Sequence, residues 1–479
     1  MTGLSYSTDQ DTFGGPQGRR DGQGGQTARV IRAVAQGIAD GVLIADQRLP
    51  SIRAMADEHG VSRDTVQRAY DKLVAGGQIY ARRGSGFYVS SPPVLPTVPA
   101  IKVAPVDLAP FQLIHSSHPL DRSPGSGVLR HEPSAVEELN RVLKSVASSA
   151  LRTTGYGDPA GYLPLREQLR NKLGIDGVDV PVDAILTVPG SIAGLGVVIR
   201  AFVRPGGRIV VEDPCSFAHV AALLSQGAEI LHVPRKADGP DLDVLRLLCE
   251  RYRPAMFLMS SLIQNPTGSC ISLHKARQLI DIATEFEMIL VDDVGQADLL
   301  PPAGNRPVAP LLLLDHLDHV IHVGGSSRIL APEVGVGYIV AGERYGDMLR
   351  RFRPLQGLGN MLIQERVLYR FLDEGLYRRR CERIRGQLAK GTIALRQQFA
   401  RMGIAAAPSM GGLFLWADLG NSIDTLDLAK RLLARGFLTA PGKHFRPAGM
   451  TSSEMRFNVT TTSEAALQAL AESLPPIRD

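Results

Sequence analysis

Strands and helices alternate along residues 184–323, and this alternation constrains the fold more than any other feature of the sequence. Six short apolar runs have the length of strands: Ala184–Val188, Arg208–Val211, Ile230–Val233, Met256–Met259, Met288–Val291 and Val320–Val323. Stretches with helical spacing, such as Ala193–Val203 and Ser272–Phe286, separate them. Alternation of this kind predicts a mainly parallel sheet covered by helices on both faces.

The rest of the chain predicts further domains, since 479 residues exceed one ordinary core and indicate roughly two to four domains. Residues 1–26 are rich in Gly, Gln, Asp, Ser and Thr, which predicts a disordered arm. After about Gln356, long charged helices precede short strands at Leu413–Ala417 and Met455–Val459, an order typical of a small α+β lobe.

Residues 27–90 predict a small helical domain that ends in a hairpin. A first helix starts near Thr27, and Ser51 caps a second that ends at Gly60. A third begins at once, with Val61 and Val66 placed as a hydrophobic staple. Its apolar stripe comprises Val66, Ala69, Tyr70, Leu73 and Val74. Two helices joined by a tight glycine turn form a helix-turn-helix whose second helix would enter the major groove of DNA.

The hairpin after Gly77 consists of two short predicted strands, Gln78–Ala81 and Phe87–Val89, around a basic, glycine-rich tip. Such a tip can lie close to a phosphate backbone or reach into the minor groove. The whole span, LPSIRAMADEHGVSRDTVQRAYDKLVAGGQIYARRGSGFYV, resembles the winged helix-turn-helix of the GntR family. The resemblance includes Leu-Pro-Ser before the second helix and Arg-Arg-Gly-Ser-Gly in the wing, and it implies a regulator that binds double-stranded DNA.

The GntR resemblance also implies which residues face DNA: Arg53, Ser62, Arg63, Thr65, Arg68, Arg83 and Gly86. Arg63 or Arg68 would supply base contacts, while Arg53 and the wing would hold phosphates. An isolated arginine on a small helical domain is usually just a solvated charge. The complete order of the motif favours DNA binding, whereas the net charge of +5 is too small to decide it.

Prolines recur every few residues between 91 and 115, which predicts a semi-extended linker. Residues 116–479 would form one further domain, with a large lobe at about 150–355 and a small lobe at about 356–479. Within the large lobe, the stretch HVGGSSRILAPEVGVGY resembles the cofactor-lysine segment of fold-type I aminotransferases that use pyridoxal phosphate. The resemblance is to the form found in MocR-type regulators of the GntR family, with the pattern Ser-Lys-x-Leu-Ala-Pro-Gly-x-Arg-x-Gly-Tyr.

Two departures from this pattern bear on the chemistry. Arg328 stands at the lysine position, and a guanidinium stays protonated and does not condense with an aldehyde. Gly335 stands where the family has an arginine for the cofactor phosphate, so a charge-assisted anchor is missing as well. The resemblance therefore implies an aminotransferase-like domain that is not an enzyme. Pyridoxal phosphate is connected with it through family resemblance alone, and covalent binding is not expected.

Other positions of the predicted pocket match the family. Tyr156 lies in a Tyr-Gly-Asp-Pro-Ala-Gly segment that reaches the neighbouring subunit's site in the family, which implies a homodimer. Gly190 and Ser191 open a helix whose free N–H groups suit an anion.

Three polar residues of the pocket are retained. Asn265 of the Asn-Pro-Thr-Gly sequence would bond the cofactor's phenolic oxygen, Asp292 would pair with its pyridine nitrogen, and Arg456 would hold a substrate carboxylate. Two partners are missing, since Val294 replaces a tyrosine and Ser216 replaces a stacking aromatic ring.

The sequence predicts a DNA-binding transcription regulator whose aminotransferase-like domain dimerises and binds an effector, such as an amino acid or another small carboxylate held by Arg456. Arg328 is expected to neutralise Asp292, because an unpaired aspartate in a buried cleft is costly. Two alternatives stay open. One is a regulator that binds pyridoxal phosphate non-covalently or keeps residual activity through another lysine, and the other is a regulator whose large domain is only a dimerisation scaffold.

The sequence offers no pattern for a metal, a disulfide or a membrane. Four cysteines lack any Cys-x-x-Cys spacing, which argues against a zinc site and fits a reducing cytoplasm: Cys215, Cys249, Cys270 and Cys381. We find no targeting segment and no apolar run of membrane-spanning length, so a cytoplasmic location is expected.

Overall fold

The computed structural model describes residues 24–82, 84–90, 118–150, 157–300, 310–356, 361–420, 423–447 and 450–474. The predicted linker lies outside these residues, as do Arg83, Tyr156 and the first 23 residues of the predicted arm. The chain divides into two compact units, Met1–Val103 and Ala104–Asp479. No helix of the described residues is long and apolar enough to cross a bilayer.

The first unit is a three-helix domain with a hairpin. Its elements are α1 (Gly24–Ala39), α2 (Ile52–His59), α3 (Arg63–Ala75), β1 (Ile79–Arg82) and β2 (Gly86–Val89). The Ser51 hydroxyl accepts the Ala54 N–H at 3.2 Å, and Gly60 ends α2 with a φ of +61°. The predicted cap and turn are thus both present.

An apolar core holds the first unit together: Val30, Val34, Leu49, Met55, Ala56, Val66, Ala69, Tyr70, Leu73, Ile79 and Val89. Most of the predicted α3 stripe lies in this core. Val74 is the exception, because it is 37% exposed. Tyr70 joins the helices to the preceding loop by donating from its hydroxyl to the Pro50 carbonyl at 3.0 Å.

The large lobe of the second unit contains these elements: α4 (Pro133–Ala150), α5 (Leu163–Ile175), β3 (Ile185–Val188), α6 (Ser191–Phe202), β4 (Arg208–Asp213), α7 (Phe217–Ser225), β5 (Glu229–Lys236), β6 (Gly239–Pro240), α8 (Leu242–Tyr252), β7 (Met256–Met259), α9 (Leu273–Phe286), β8 (Ile289–Asp293), α10 (Leu311–Asp315), β9 (Val320–Gly325), β10 (Gly337–Val340) and α11 (Glu343–Phe352). The small lobe contains α12 (Leu362–Asp373), α13 (Leu376–Arg401), β11 (Ala405–Ala406), β12 (Phe414–Asp418), α14 (Thr425–Ala434), β13 (Ala440–Pro441), β14 (Glu454–Asn458) and α15 (Glu464–Ser473).

The predicted mainly parallel sheet is confirmed. Its eight strands run in the order β3-β10-β9-β8-β7-β4-β5-β6, with parallel pairing from β9 through β5. The edges depart from this pattern, because β10 is antiparallel to both β3 and β9, and β6 is antiparallel to β5. All six strands expected from the sequence are present, with ends that differ by a few residues.

Neighbouring residues of the central strands face opposite sides of the sheet, and each side has its own apolar core. Phe257 and Leu290 belong to one core, whereas Leu258 and Val291 belong to the other. The strands are buried on both faces, as expected of a parallel sheet covered by helices. The small lobe has an antiparallel sheet in the order β11-β12-β14-β13.

A buried segment, which we call the strap (Ser123–Gly127), crosses the interior of the second unit before α4 begins. Its backbone is bonded to the small lobe: the Gly125 N–H donates to the Leu438 carbonyl at 3.0 Å, and the Asn458 N–H donates to the Pro124 carbonyl at 2.7 Å. A Cβ on Gly125 would lie 2.3 Å from the Ala440 nitrogen, so only glycine fits there. The Gly, Ser and Pro content of this stretch reflects close packing.

Candidate functional site

Two of the predicted DNA-binding arginines lie on the exposed face of α3, and a third lies on α2. Arg63 and Arg68 are both exposed, and Arg53 is exposed on α2. Arg68 forms an ion pair with Asp64 at 2.8 Å, a helix-surface contact worth well under about 1 kcal/mol. So weak a pair can be exchanged for a phosphate or a base edge.

The Ser62 and Thr65 side chains are occupied with each other at the start of α3. The Ser62 hydroxyl accepts the Thr65 N–H at 3.1 Å and lies 2.8 Å from Thr65 Oγ1. Thr65 is 0% exposed, so the prediction that it faces DNA is wrong. This threonine instead locks the helix cap. Ser62 remains exposed and caps the helix that carries Arg63.

The wing is built as the sequence predicts, and it has an additional arginine beside it. Strands β1 and β2 pair antiparallel, with Arg82 opposite Gly86, and Gly86 has a φ of +111°. A Cβ on Gly86 would lie 3.4 Å from Nε of Arg48, whose backbone forms a bridge with Tyr88. Arg48 was missed in the sequence because it lies in the loop before the motif, far from the wing along the chain.

The cleft of the second unit is organised around two arginines and the strap. Arg456, on β14, is 2% exposed and donates from Nη2 to the Gly125 carbonyl at 2.7 Å. Its guanidinium lies 4.1 Å from the Phe414 ring centroid and 5.0 Å from that of Phe445. Burial, followed by the charge of Arg328, lowers the pKa of Arg456 to about 9.

Arg328 follows β9 and reaches the same strap. Its Nη1 donates to the Gly127 carbonyl. Removal from solvent lowers the pKa of Arg328, and the nearby Asp293 carboxylate opposes this shift. The two arginines therefore hold strap carbonyls that are two residues apart.

Asn265 is retained but its side chain is already committed. Its Oδ1 accepts from Arg456 Nη1 at 3.0 Å, and its Nδ2 donates to the Ser216 hydroxyl at 3.4 Å. The aromatic ring next to Ser216 along the chain, Phe217, packs instead against Phe445, with centroids 5.8 Å apart.

The predicted pairing of Arg328 with Asp292 is wrong. Asp292 is completely buried and accepts two hydrogen bonds from Ser261, at 2.8 Å from the N–H and 2.6 Å from the hydroxyl. Burial raises the pKa of Asp292 to about 7, although the Ser261 bonds oppose the rise. It is Asp293, the next residue, that acts on Arg328.

Asp293 is held as a carboxylate by its neighbours. Its Oδ2 lies 2.8 Å from His219 Nε2, and its Oδ1 accepts the Gly295 N–H at 3.0 Å. Burial would raise the pKa of Asp293, but its interactions with His219, the bond from the Gly295 N–H and the charge of Arg328 together outweigh burial and lower the pKa. Since successive strand residues point to opposite faces, a shift of one position decided which aspartate reaches the cleft.

Gly190 and Ser191 lie where the sequence placed them, at the start of α6. Gly190 has a φ of +90°, and a Cβ on Gly337 would lie 2.6 Å from the Ser191 nitrogen. The residues that line this helix start are therefore packed closely around it. At Gly335, a Cβ would lie 2.5 Å from Ser327 Cβ, so this position has no room for any side chain.

The fold and the cleft first define a class of protein: a winged helix-turn-helix joined to a fold-type I aminotransferase fold. Residues 26–89 match the model for bacterial regulatory proteins of the gntR family, and residues 125–474 match the model for aminotransferase class I and II. The chain belongs to the aminotransferase class I and II family, as a transcription regulator of the MocR type within the GntR group.

Its similarities to single proteins agree with this. The chain is 28% identical over 436 residues to the uncharacterized HTH-type transcriptional regulator YdcR of Escherichia coli K12, covering 88% of this chain and 92% of that protein. It is 27% identical over 374 residues to the probable rhizopine catabolism regulatory protein MocR of Rhizobium meliloti, covering 75% and 74%. The α-aminoadipate aminotransferase LysN of Thermus thermophilus shares the fold, with a TM-score of 0.70 and 23% identity over 77% of this chain and 95% of LysN.

Proposed function

We propose that the second unit of this regulator has lost aminotransferase chemistry and serves the DNA-binding unit as a ligand-sensing and dimerisation domain. The proposal rests on the contacts of Arg328. Its guanidinium donates to the Gly127 carbonyl and lies close enough to Asp293 for that carboxylate to affect its pKa. A Schiff base at this position needs a primary amine that can lose its proton, and a guanidinium supplies none.

The other residues of the cleft also do not fit pyridoxal phosphate. Ser216 offers a hydroxyl where a ring would stack, and Val294 is buried in the apolar core where a phenol would bond the cofactor. Gly335 leaves no space for a phosphate-binding side chain, and Asn265 is already bonded to Arg456. These features support a cleft with weak non-covalent affinity for pyridoxal phosphate.

Incubation of the purified protein with pyridoxal phosphate, followed by borohydride reduction, tests this proposal. With one equivalent of the cofactor, we expect no aldimine absorption band, no reduced pyridoxyl adduct on a peptide from the cleft and no exchange of amino groups between an amino acid and a keto acid. Arg328→Lys is the matched variant, because it restores an amine at the one position in question. An adduct on a residue of the cleft in the unaltered protein, or measurable amino-group exchange, would overturn the proposal.

We also propose that Arg53, Arg63 and Arg68 contact DNA, with Arg48 holding a phosphate beside the wing. Arg53, Arg63 and Arg68 are all exposed on one small unit, which supports the assignment. Arg68 can also leave its weak ion pair with Asp64 to contact DNA. Sequencing the genomic DNA retained by the immobilised protein would give the operator. Retention of random fragments with no shared sequence would contradict specific recognition.

Dimerisation through the second unit is supported by large apolar side chains exposed on the described residues. Leu163, Ile192 and Leu355 are 44%, 51% and 63% exposed, and each is a candidate for contacts between subunits. The same observation supports the second candidate function, a scaffold that dimerises without a ligand. Sedimentation should give twice the chain mass of 51.6 kDa, and a ligand screen by thermal shift separates a sensor from a scaffold.

A further inference from the structure

The cleft of the second unit holds two guanidinium groups and too little negative charge to neutralise both. Burial, followed by the charge of Arg328, lowers the pKa of Arg456, so the two guanidinium groups lie close enough to repel each other. Of the acidic side chains that the structure describes, Asp293 is the one that acts on Arg328, and it also holds His219. Like charges buried together with a single carboxylate favour the entry of an anion.

The strap supplies neutral hydrogen-bond acceptors to both guanidinium groups, and an anion would be a stronger acceptor. Arg456 donates to the Gly125 carbonyl and Arg328 donates to the Gly127 carbonyl. A guanidinium matches a carboxylate better than a single carbonyl, because two parallel N–H groups can donate to the two carboxylate oxygens. Each arginine is therefore bonded to an acceptor that a carboxylate can replace.

Donor groups of the pair are also left over. The buried Nε of Arg456 has no hydrogen-bond partner within the part of the chain that the structure describes, and such a group is costly to bury. A guanidinium has five N–H donors, and the contacts within the described residues use one of those on Arg328.

We propose that Arg328 and Arg456 together form a binding site for a small dicarboxylate, one carboxylate to each guanidinium, and that the ligand takes the places of the Gly125 and Gly127 carbonyls. The inference rests on the proposed function, since it needs a cleft without a covalently bound cofactor. Acceptors two residues apart on an extended chain are separated by at most about 7 Å, which is within reach of a short dicarboxylate.

A dicarboxylate suits this site better than an α-amino acid. An amino acid carries one carboxylate and one ammonium group, and the ammonium would lie beside a guanidinium or need Asp293. That aspartate is already bonded to His219 Nε2 at 2.8 Å and to the Gly295 N–H at 3.0 Å. A second carboxylate, by contrast, meets Arg328 directly and relieves the repulsion between the two cations.

The binding also connects the cleft to the part of the chain that leads from the DNA-binding unit. The strap follows the predicted linker in sequence, and strap residues are held by bonds such as the one from the Gly125 N–H to the Leu438 carbonyl. A ligand that replaces the strap carbonyls frees the strap from both arginines. Hydrogen exchange of the strap amides should therefore speed up when the ligand binds.

Titration calorimetry of the full chain with succinate, glutarate and adipate, and with butyrate as the monocarboxylate, tests the site. We expect at least one dicarboxylate to bind tenfold or more tightly than butyrate. Arg328→Gln should remove this preference, and Arg328→Lys should keep part of it through its charge. Arg435→Gln, an exposed arginine paired with Glu472 outside the cleft, is the matched control.

Each outcome bears on the site. Equal affinity for dicarboxylates and butyrate, or an unchanged preference in Arg328→Gln that keeps the wild-type melting temperature, would overturn the inference while leaving a non-catalytic domain intact. If Arg328→Gln unfolds, unchanged strap exchange upon addition of dicarboxylate to the wild-type protein would overturn it as well. A borohydride-trapped pyridoxyl adduct on a residue of the cleft in the unaltered chain would instead remove the proposed function on which the site depends.

Discussion

The two units of this protein use arginine in opposite ways. In the first unit, Arg63 and Arg68 are exposed on a helix surface and have weak partners or none among the described residues. In the second unit, the Arg235 and Arg456 side chains are buried, Arg328 is half-buried, and all three are bonded to specific acceptors. An exposed cation can bind a polyanion at little cost to the fold, whereas a buried cation is part of the fold and accepts only a ligand of matching shape.

The largest loss of stability should come from replacing a buried arginine, and an exposed arginine provides the comparison. Arg235 has a fully buried side chain that donates to Glu212, to the Ser260 carbonyl at 2.9 Å and to Ser269 Oγ at 2.8 Å. Arg235→Leu leaves the Glu212 carboxylate buried without its partner, so the free energy of unfolding should fall by about 3–5 kcal/mol.

Denaturant unfolding followed by the fluorescence of Trp416 measures this loss. Trp416 is the single tryptophan of the sequence and is buried in the small lobe, so its emission reports on the second unit. Arg68→Leu is the exposed counterpart and should leave that transition unchanged. Equal transitions for Arg235→Leu and the wild type would mean that the buried pair contributes nothing.

The contributions of Asp292 and Asp293 to the free energy of unfolding should change with pH in opposite directions. The pKa of Asp292 is raised from 3.8 to about 7 by burial, so the folded state binds its proton more tightly than the unfolded state. Its contribution is complete below about pH 4 and is lost as the pH rises toward 7, with a slope of at most about 1.4 kcal/mol per pH unit. The pKa of Asp293 is lowered, so its contribution is present at neutral pH and is lost in acid.

Asp292→Asn separates these contributions. The variant keeps a neutral side chain beside Ser261 at every pH, so its stability relative to the wild type should improve between pH 5 and pH 8. Trp416 fluorescence in urea at both pH values measures the difference. A constant difference across this range would show that Asp292 does not titrate there.

On the DNA side, single arginines should have smaller and more specific effects. Arg63→Ala should lower the binding free energy for the operator by about 1–3 kcal/mol and relax specificity at one base pair. Arg53→Ala should weaken binding to all DNA sequences alike and reduce the slope of log affinity against log salt concentration by about 1. Fluorescence anisotropy at several salt concentrations distinguishes the two. Arg401→Ala, on the exposed end of α13, should change neither quantity.

The smallest expected effect is the loss of a helix cap, which occurs in both units. Ser62 accepts the Thr65 N–H at 3.1 Å and Ser463 accepts the Ala466 N–H at 3.2 Å. Replacing either serine with alanine should cost about 1 kcal/mol in its own unit. Ser463→Ala should shift the Trp416 transition and leave DNA affinity unchanged, whereas Ser62→Ala should do the reverse. A shift of both quantities by one variant would show that the units unfold together.

Features that depend on neighbouring residues could be predicted from the sequence, whereas features that depend on distant residues could not. The Ser51 cap, the Gly60 turn and the strand alternation depend on neighbours a few residues away, and they were predicted correctly. The sequence could not show which of Asp292 and Asp293 reaches the cleft, because a one-residue change of strand register exchanges the faces to which they point. Thr65 fits a DNA-facing motif in sequence but is buried against the domain core.

The sequence by itself determined the architecture and the loss of an amine at position 328, because periodicity, capping and residue chemistry are local properties. Only the tertiary structure decided what surrounds Arg328 and Arg456. The bond from Arg456 to the strap joins residues 331 positions apart, and the contact of Arg328 spans 201. Contacts at such separations depend on how lobes and loops pack together, and no pattern along the chain records them.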